Sequence, residues 1–211
     1  MTVPSLMQNY QRQSYVTQLH KFYNELSQSL SKWMTDKNAL NLAEVGVARS
    51  EDMMPFMKEY FKVIQDCDTT PTPCFASSYK NLNGAAYTLT TRGGKCGVIA
   101  SGASFCIFMD GLDTGTVAND DFLGQVWVDI NGQKGPNIYG RDLFIMYFFP
   151  DAVVDEYRIN PDCRINNNCN GQNSPQAYRD TLFASCKNAT GGGYTSGCFA
   201  KILNDNWQMT Y

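Results

Sequence analysis

Residues 15–34, YVTQLHKFYNELSQSLSKWM, decide the fold of this 211-residue chain because they predict its longest regular element. Apolar side chains recur there at intervals of three and four positions, which places them on one face of an α-helix. Those side chains are Tyr15, Leu19, Phe22, Tyr23, Leu26, Leu30, Trp33 and Met34. The opposite face is polar, so we expect an amphipathic helix whose apolar face packs on another layer of the fold.

The apolar pattern continues upstream through Val3, Leu6, Met7 and Tyr10, so the chain begins inside a helical pattern with no leader before Met1. Eight cysteines in a chain of this length are typical of exported proteins that form disulfides outside the cytosol. We interpret Met1 as an initiator placed where a membrane segment was cut away. The alternative is a native cytosolic start with free or metal-bound thiols.

A second, shorter amphipathic helix is predicted downstream, between Met53 and Ile64, with Asp52 as its N-cap. The proline-rich segment that follows begins at Cys67 and ends at Cys74. We expect a disulfide to close this loop and to fix the exit of the helix.

Beyond residue 84 the apolar period changes to two, and β-branched and aromatic residues alternate with glycine turns. This pattern predicts an antiparallel sheet with strands at 87–90, 96–100, 104–109, 125–130 and 143–149. Phe148 and Phe149 cannot both face one core in a regular strand. One of them is therefore covered by the C-terminal region or lies at a subunit contact.

The turn at 101–104 bears on the cysteine pairing. If Gly102 and Ala103 form a two-residue loop, Cys96 lies opposite Met109, and Cys106 lies on the other face of the sheet. Regular pairing then forbids a disulfide between Cys96 and Cys106. A bulge that shifts the register, pairing with other cysteines, and reduced thiols are the three alternatives.

The last third of the chain is rich in asparagine and glycine, and we expect loops closed by disulfides there. The cysteines concerned are Cys163 with Cys169 and Cys186 with Cys198. Ser174 is a typical N-cap residue and Pro175 a typical first-turn residue, so the pair predicts the start of a short helix. Residues 198–211 are predicted to form a final hairpin.

The composition excludes several classes of partner and site. The formal net charge is −3 without a cluster of Lys and Arg, so we expect no binding to nucleic acid or to an anionic membrane. No window of about 18 apolar residues exists, so no segment present is predicted to span a bilayer. The cysteine spacings differ from the close pairs of zinc sites. His20, the only histidine, is expected on a solvated helix surface, which disfavours catalysis with a cysteine nucleophile.

Carboxylates offer one candidate ion site. One loop contains four of them, Asp110, Asp113, Asp120 and Asp121. The other two, Asp129 and Asp142, flank the turn at Asn131. Calcium needs several converging oxygen ligands, and the regular D-x-[DN]-x-[DN]-G run is missing. We therefore favour solvated loops over a calcium site and predict no catalytic residue and no cofactor.

The long helix, the central sheet and the disulfide-closed end together resemble the type IV pilin and type II secretion pseudopilin superfamily. Three runs carry the resemblance. The stretch Thr2-Val3-Pro4-Ser5-Leu6, followed by Gln11-Arg12 and then Leu19, Tyr23 and Leu26, is similar to the part of pilin-like subunits where the hydrophobic half of the helix gives way to the amphipathic half. The other two runs look like a branch of prepilin-like or type II secretion proteins. They are Val128-Asp129-Ile130-Asn131-Gly132 with Gly135-Pro136-Asn137, Gly140-Arg141-Asp142 and Phe144, and the ending Asn204-Asp205-Asn206-Trp207-Gln208-Met209-Thr210-Tyr211. The family's basic leader, peptidase site and apolar helix segment are not in this sequence.

The resemblance implies one α+β pilin-like domain over 1–211. Its parts are a truncated helix at 1–35, a second helix and disulfide loop at 36–83, the antiparallel sheet at 84–150 and the disulfide-closed region at 151–211. It implies a non-enzymatic subunit of a type IV pilus or secretion filament, whose partners are like subunits, prepilin peptidase and an inner-membrane assembly platform. The full-length form would be anchored in the inner membrane and then become a periplasmic or cell-surface filament, whereas this form would be soluble and monomeric.

Two other classes are weaker hypotheses. A secreted disulfide-rich binding module, such as a lectin or adhesin, would have no apolar extension upstream and would bind a small ligand. An extracellular hydrolase would need a convergent acid, base and nucleophile, which the sequence does not present.

Overall fold

The computed structural model describes residues 3–46, 50–90, 92–109, 122–190 and 197–211, with side chains from Leu6 onward. Helix α1, Val3–Asp36, contains the predicted amphipathic stretch. Its apolar stripe is buried, and Leu19, Leu26 and Leu30 have no exposed surface. The stripe joins the hydrophobic core shared with the sheet. The expected α+β class with a long N-terminal helix is thus confirmed.

Within the described residues, six strands form one antiparallel sheet and two more form a separate ribbon. The sheet strands are β1 Val63–Asp68, β4 Lys95–Ile99, β5 Ser104–Met109, β6 Gly124–Asp129, β7 Leu143–Phe148 and β8 Val154–Asp155, and the ribbon pairs β2 Tyr79–Lys80 with β3 Ala86–Tyr87. The order across the sheet is β1-β4-β5-β6-β7-β8. Strand β3 therefore lies outside the main sheet, and the prediction of a sheet strand over 87–90 is wrong.

Four further helices are described. They are α2 Met53–Tyr60, α3 Pro161–Asn166, α4 Pro175–Asn188 and α5 Cys198–Asn204. The predicted start of α4 is confirmed, because the Ser174 side chain accepts the backbone N–H of Ala177 at 3.1 Å. Asp52 is the N-cap residue of α2, as predicted, but its side chain makes no capping hydrogen bond, because a 3₁₀ turn leads into the helix.

Both faces of the sheet are covered, since every residue of β6 and β7 is buried. On one face, the Tyr79 hydroxyl donates to the Asp129 carboxylate at 2.6 Å, and the Ser104 hydroxyl donates to the Cys74 carbonyl at 2.6 Å. Phe149, beyond β7, is also buried, under the guanidinium group of Arg164. The C-terminal region therefore covers the aromatic residue that one face alone could not accommodate.

The hairpin between β4 and β5 differs from the two-residue loop that we expected. The Ile99 N–H donates to the Ala103 carbonyl at 3.0 Å, which leaves residues 100–102 in the loop, with Gly102 at φ +90°. This loop starts earlier and is one residue longer, so Cys96 lies opposite Cys106. The two-residue-loop prediction is wrong, and the two cysteines form a disulfide.

The predicted final hairpin is also wrong, because α5 occupies the first half of that segment. Cys198, Phe199, Ala200 and Ile202 are buried on the inner face of α5. A short apolar run suits a strand or a helix equally, and contacts elsewhere in the fold decide between them.

All eight cysteines of the chain lie in described residues and form four disulfides. The pairs are Cys67–Cys74, Cys96–Cys106, Cys163–Cys169 and Cys186–Cys198. Each bridge joins cysteines that are 6 to 12 positions apart in the sequence. Such bridges are typical of an oxidising compartment.

Candidate functional site

The start of α1 is exposed, whereas the rest of the helix is packed. Among the described side chains, none before Tyr15 is buried. Leu6, Met7 and Tyr10 have exposed fractions of 51%, 68% and 76%. Residues three and four apart lie on the same side of a helix, so Tyr10 adjoins both of the others. Together these three residues form an exposed apolar surface, which we call the α1 patch.

No helix in the described part of the chain is long and apolar enough to cross a membrane.

Two of the predicted carboxylates hold the connection between β6 and β7. The two oxygens of Asp142 accept the backbone N–H groups of Asn137 at 2.7 Å and Ile138 at 2.6 Å. Asp129 accepts the backbone N–H of Asn131 at 3.1 Å. Both aspartates have no exposed surface. The solvated-loop interpretation is therefore wrong for this pair, which instead fixes the backbone of the connection.

Burial dominates the titration of both aspartates. Loss of solvation raises the pKa of Asp129 to about 7, against the hydrogen bonds from Tyr79 and Asn131 that favour the charged form. Burial raises the pKa of Asp142 as well. In the described residues, no group of three or more His, Cys, Asp or Glu side chains is arranged to hold a metal ion. The other calcium candidates, Asp110, Asp113, Asp120 and Asp121, lie outside the described residues.

A second buried pair of carboxylates, Asp155 and Glu156, anchors the C-terminal helices. Asp155 accepts the Arg179 Nε–H at 2.9 Å and forms a second contact with Nη2 of the same guanidinium group. Arg179 lies on α4, and its Nη1 also reaches the Asn204 side chain at 3.5 Å. This bidentate ion pair links α4 to β8 at the edge of the sheet.

Glu156 anchors α5, as Asp155 anchors α4. It has no exposed surface, and it accepts the backbone N–H groups of Tyr157 at 3.0 Å and Ala200 at 3.1 Å. Burial raises the pKa of Glu156 to about 7, although these bonds and one from Gly197 favour the charged form. Glu156 and Arg179 could not be identified from the sequence, because their partners are far away in the sequence.

His20 lies on the surface of α1 and is partly exposed, as expected, but it also packs against an aromatic ring. Its ring stacks on Trp207 at a centroid distance of 4.0 Å, and Tyr23 contacts the same indole at 4.9 Å. Since all the cysteines are in disulfides, none is a thiol that His20 could deprotonate. The His20 ring instead packs the C-terminal segment, through Trp207, against α1.

Comparison with protein-family models, with curated proteins and with solved structures finds no match to this chain.

Proposed function

We propose that this chain is the globular head of a pilin-like structural subunit and has no catalytic activity. The filament would be a type IV pilus or a type II secretion-like filament, in which helices of like subunits bury one another. In its full-length form the subunit would be processed by a prepilin peptidase and assembled at an inner-membrane platform. The observation that carries the proposal is the division of α1 into an exposed apolar start and a buried continuation.

The buried continuation supports a rigid connection between a helix and its head. Leu19, Leu26 and Leu30 are in the same core as the sheet, so the helix cannot separate without exposing that core. The start of α1 lacks such packing, and an isolated helical segment of this length is marginal in water. A neighbouring helix that covered Leu6, Met7 and Tyr10 would bury their apolar surface and stabilise the helical form.

The first test is to read the source gene upstream of the Thr2 codon. The proposal expects a short basic leader, a peptidase site and about 20 apolar residues in helical continuity with α1. An ordinary cleavable signal peptide, or a native start at Met1, would contradict it and favour a secreted binding module.

The second test examines assembly in the source organism, with the gene expressed from its natural start. The triple variant Leu6→Ser, Met7→Ser, Tyr10→Ser removes the α1 patch, and we expect fewer filaments in the fraction sheared from cells. Leu40→Ser is the matched control, because Leu40 is 87% exposed and lies outside α1. Equal filament yields from the triple variant and the control would show that the patch has no role in assembly.

A further inference from the structure

A cleft with a volume of about 240 Å³ lies between the first turns of α1 and the connection that follows β6. It is lined by Gln8, Gln11, Arg12 and Tyr15 from the helix and by Pro136, Ile138 and Arg141 from the connection. The two arginines are far apart in the sequence, so no run of basic residues indicates this site. The fold brings them to the same cleft.

Within the described residues, neither arginine has an acidic partner. The ion pairs of the described residues include neither Arg12 nor Arg141. Arg141 is half-buried, contacts the Met209 sulfur at 3.6 Å and lies 5.7 Å from the Tyr211 ring centroid. Burial and then the positive charge of Arg12 lower the pKa of Arg141, which is the effect expected of two neighbouring cations.

The nearest carboxylate on the connection between β6 and β7 is that of Asp142, and it already has hydrogen-bond partners. Asp142 follows Arg141 directly, yet its two oxygens accept the backbone N–H groups of Asn137 and Ile138. Elsewhere in the chain half-buried guanidinium groups do hold carboxylates, as Arg164 holds Asp151 at 2.8 Å. A half-buried arginine beside a second arginine, without a carboxylate, leaves its charge and most of its N–H donors for a ligand.

The other polar groups of the cleft also offer donors. The Gln11 amide donates to the Tyr15 hydroxyl oxygen at 2.9 Å, which leaves the Tyr15 O–H to donate outward. The planar forks of two guanidinium groups suit an oxyanion. A phosphoryl group has a charge of about −1.5 to −2 at neutral pH and matches two cations, whereas a carboxylate would leave one of them uncompensated.

We propose that the cleft binds a phosphoryl group between the guanidinium groups of Arg12 and Arg141, with the Tyr15 hydroxyl as a further donor. The ligand is either a free phosphate or the phosphomonoester headgroup of a lipid such as phosphatidic acid, since both present the same doubly charged phosphoryl oxygens. The proposal does not depend on filament assembly.

The test is an NMR titration of the 211-residue chain with inorganic phosphate, with ionic strength held constant by chloride. We expect saturable shifts of the Arg12 and Arg141 side-chain signals. Arg12→Gln should weaken binding about tenfold or more, as expected when a charged hydrogen-bond donor is lost. Arg141→Lys provides a second variant that keeps the charge but loses the planar fork. Lys21→Gln is the matched control, since it removes one positive charge from the same helix outside the cleft.

A second experiment distinguishes the two sources. If the ligand is a headgroup, the wild-type chain sediments with vesicles of phosphatidic acid, Arg12→Gln does not, and inorganic phosphate competes. If the ligand is a free phosphate, phosphate binds in the titration and the vesicles do not. The proposal is overturned if neither probe binds, or if Lys21→Gln weakens binding as much as Arg12→Gln. It is also overturned if acetate shifts the arginine signals at the same concentrations as phosphate.

Discussion

The carboxylate of Glu156 accepts the backbone N–H of Ala200 at 3.1 Å, so a side chain next to β8 fixes the first turn of α5. The first N–H groups of a helix have no partner within the helix. The N-cap of α5 is Gly197, which has no side chain to accept them. Glu156 therefore supplies the cap from a distant part of the chain.

Glu156→Ala should lower the free energy of unfolding by about 2–4 kcal/mol, because it leaves buried N–H groups without an acceptor and creates a cavity. Urea unfolding followed by circular dichroism measures the loss. Glu25→Ala is the control, since Glu25 forms only an exposed pair with Lys21 at 3.9 Å and should lose less than about 1 kcal/mol. Similar losses for both variants would show that Glu156 does not cap α5.

The stability of the chain should fall as pH rises from about 4.5 to 8. Burial raises the pKa of Asp129 and of Glu156 to about 7, so the folded chain binds these protons more tightly than the unfolded chain does. Their contribution is present at low pH and is lost as pH rises through the folded pKa. Urea unfolding at several pH values measures this slope, and Asp129→Asn should reduce it.

Asp66→Asn is the control for the pH experiment. A hydrogen bond from Lys58 lowers the pKa of Asp66, so this group affects stability only at more acidic pH. A wild-type stability that stays constant or rises between pH 4.5 and 8 would contradict the prediction.

The Cys96–Cys106 bridge should stabilise the chain more than the Cys67–Cys74 bridge. Both close short loops, so their effects on the unfolded chain are similar, each being worth about 2–4 kcal/mol. Cys96 and Cys106 are both fully buried, whereas in the other pair Cys74 is buried and Cys67 is half-buried, so removal of the Cys96–Cys106 bridge opens more of the core. Thermal unfolding of the two double-alanine variants compares their stabilities. A larger loss of stability in the Cys67–Cys74 variant would contradict the prediction.

Gly197→Ala should destabilise the chain by more than Gly84→Ala. Both glycines have positive φ angles, +105° and +86°, so both substitutions introduce backbone strain of about 1–2 kcal/mol. A methyl group at Gly84 would meet open space, whereas at Gly197 it would overlap the Leu182 carbonyl group. Urea unfolding of the two variants checks the difference, and equal losses would mean that strain alone matters.

The central elements could be predicted because their patterns are long. The stripe of α1 covers 20 residues, and the alternation in β5, β6 and β7 is flanked by clear turn signals. Strand β1 was missed because it is an edge strand with polar, exposed residues such as Gln65 and Asp66. Strand β8 has only two residues, too few for any pattern.

The remaining errors concern features fixed by distant contacts. The three-residue loop after Ile99 moved Cys96 opposite Cys106, and nothing local distinguishes it from a shorter turn. Helix α5 depends on Glu156, which lies 44 positions before Ala200. The arginine cleft likewise exists only after α1 and the connection between β6 and β7 have come together.

Every disulfide joins cysteines that are close in the sequence, and this determines how the chain would respond to mechanical force. No bridge joins α1 to the sheet, or the sheet to the C-terminal helices. A pull along the axis of α1 would therefore be resisted by non-covalent contacts, chiefly the packing of Leu19, Leu26 and Leu30 in the core. The disulfides would limit how far each closed loop extends after the fold has ruptured, but they would not determine the rupture force.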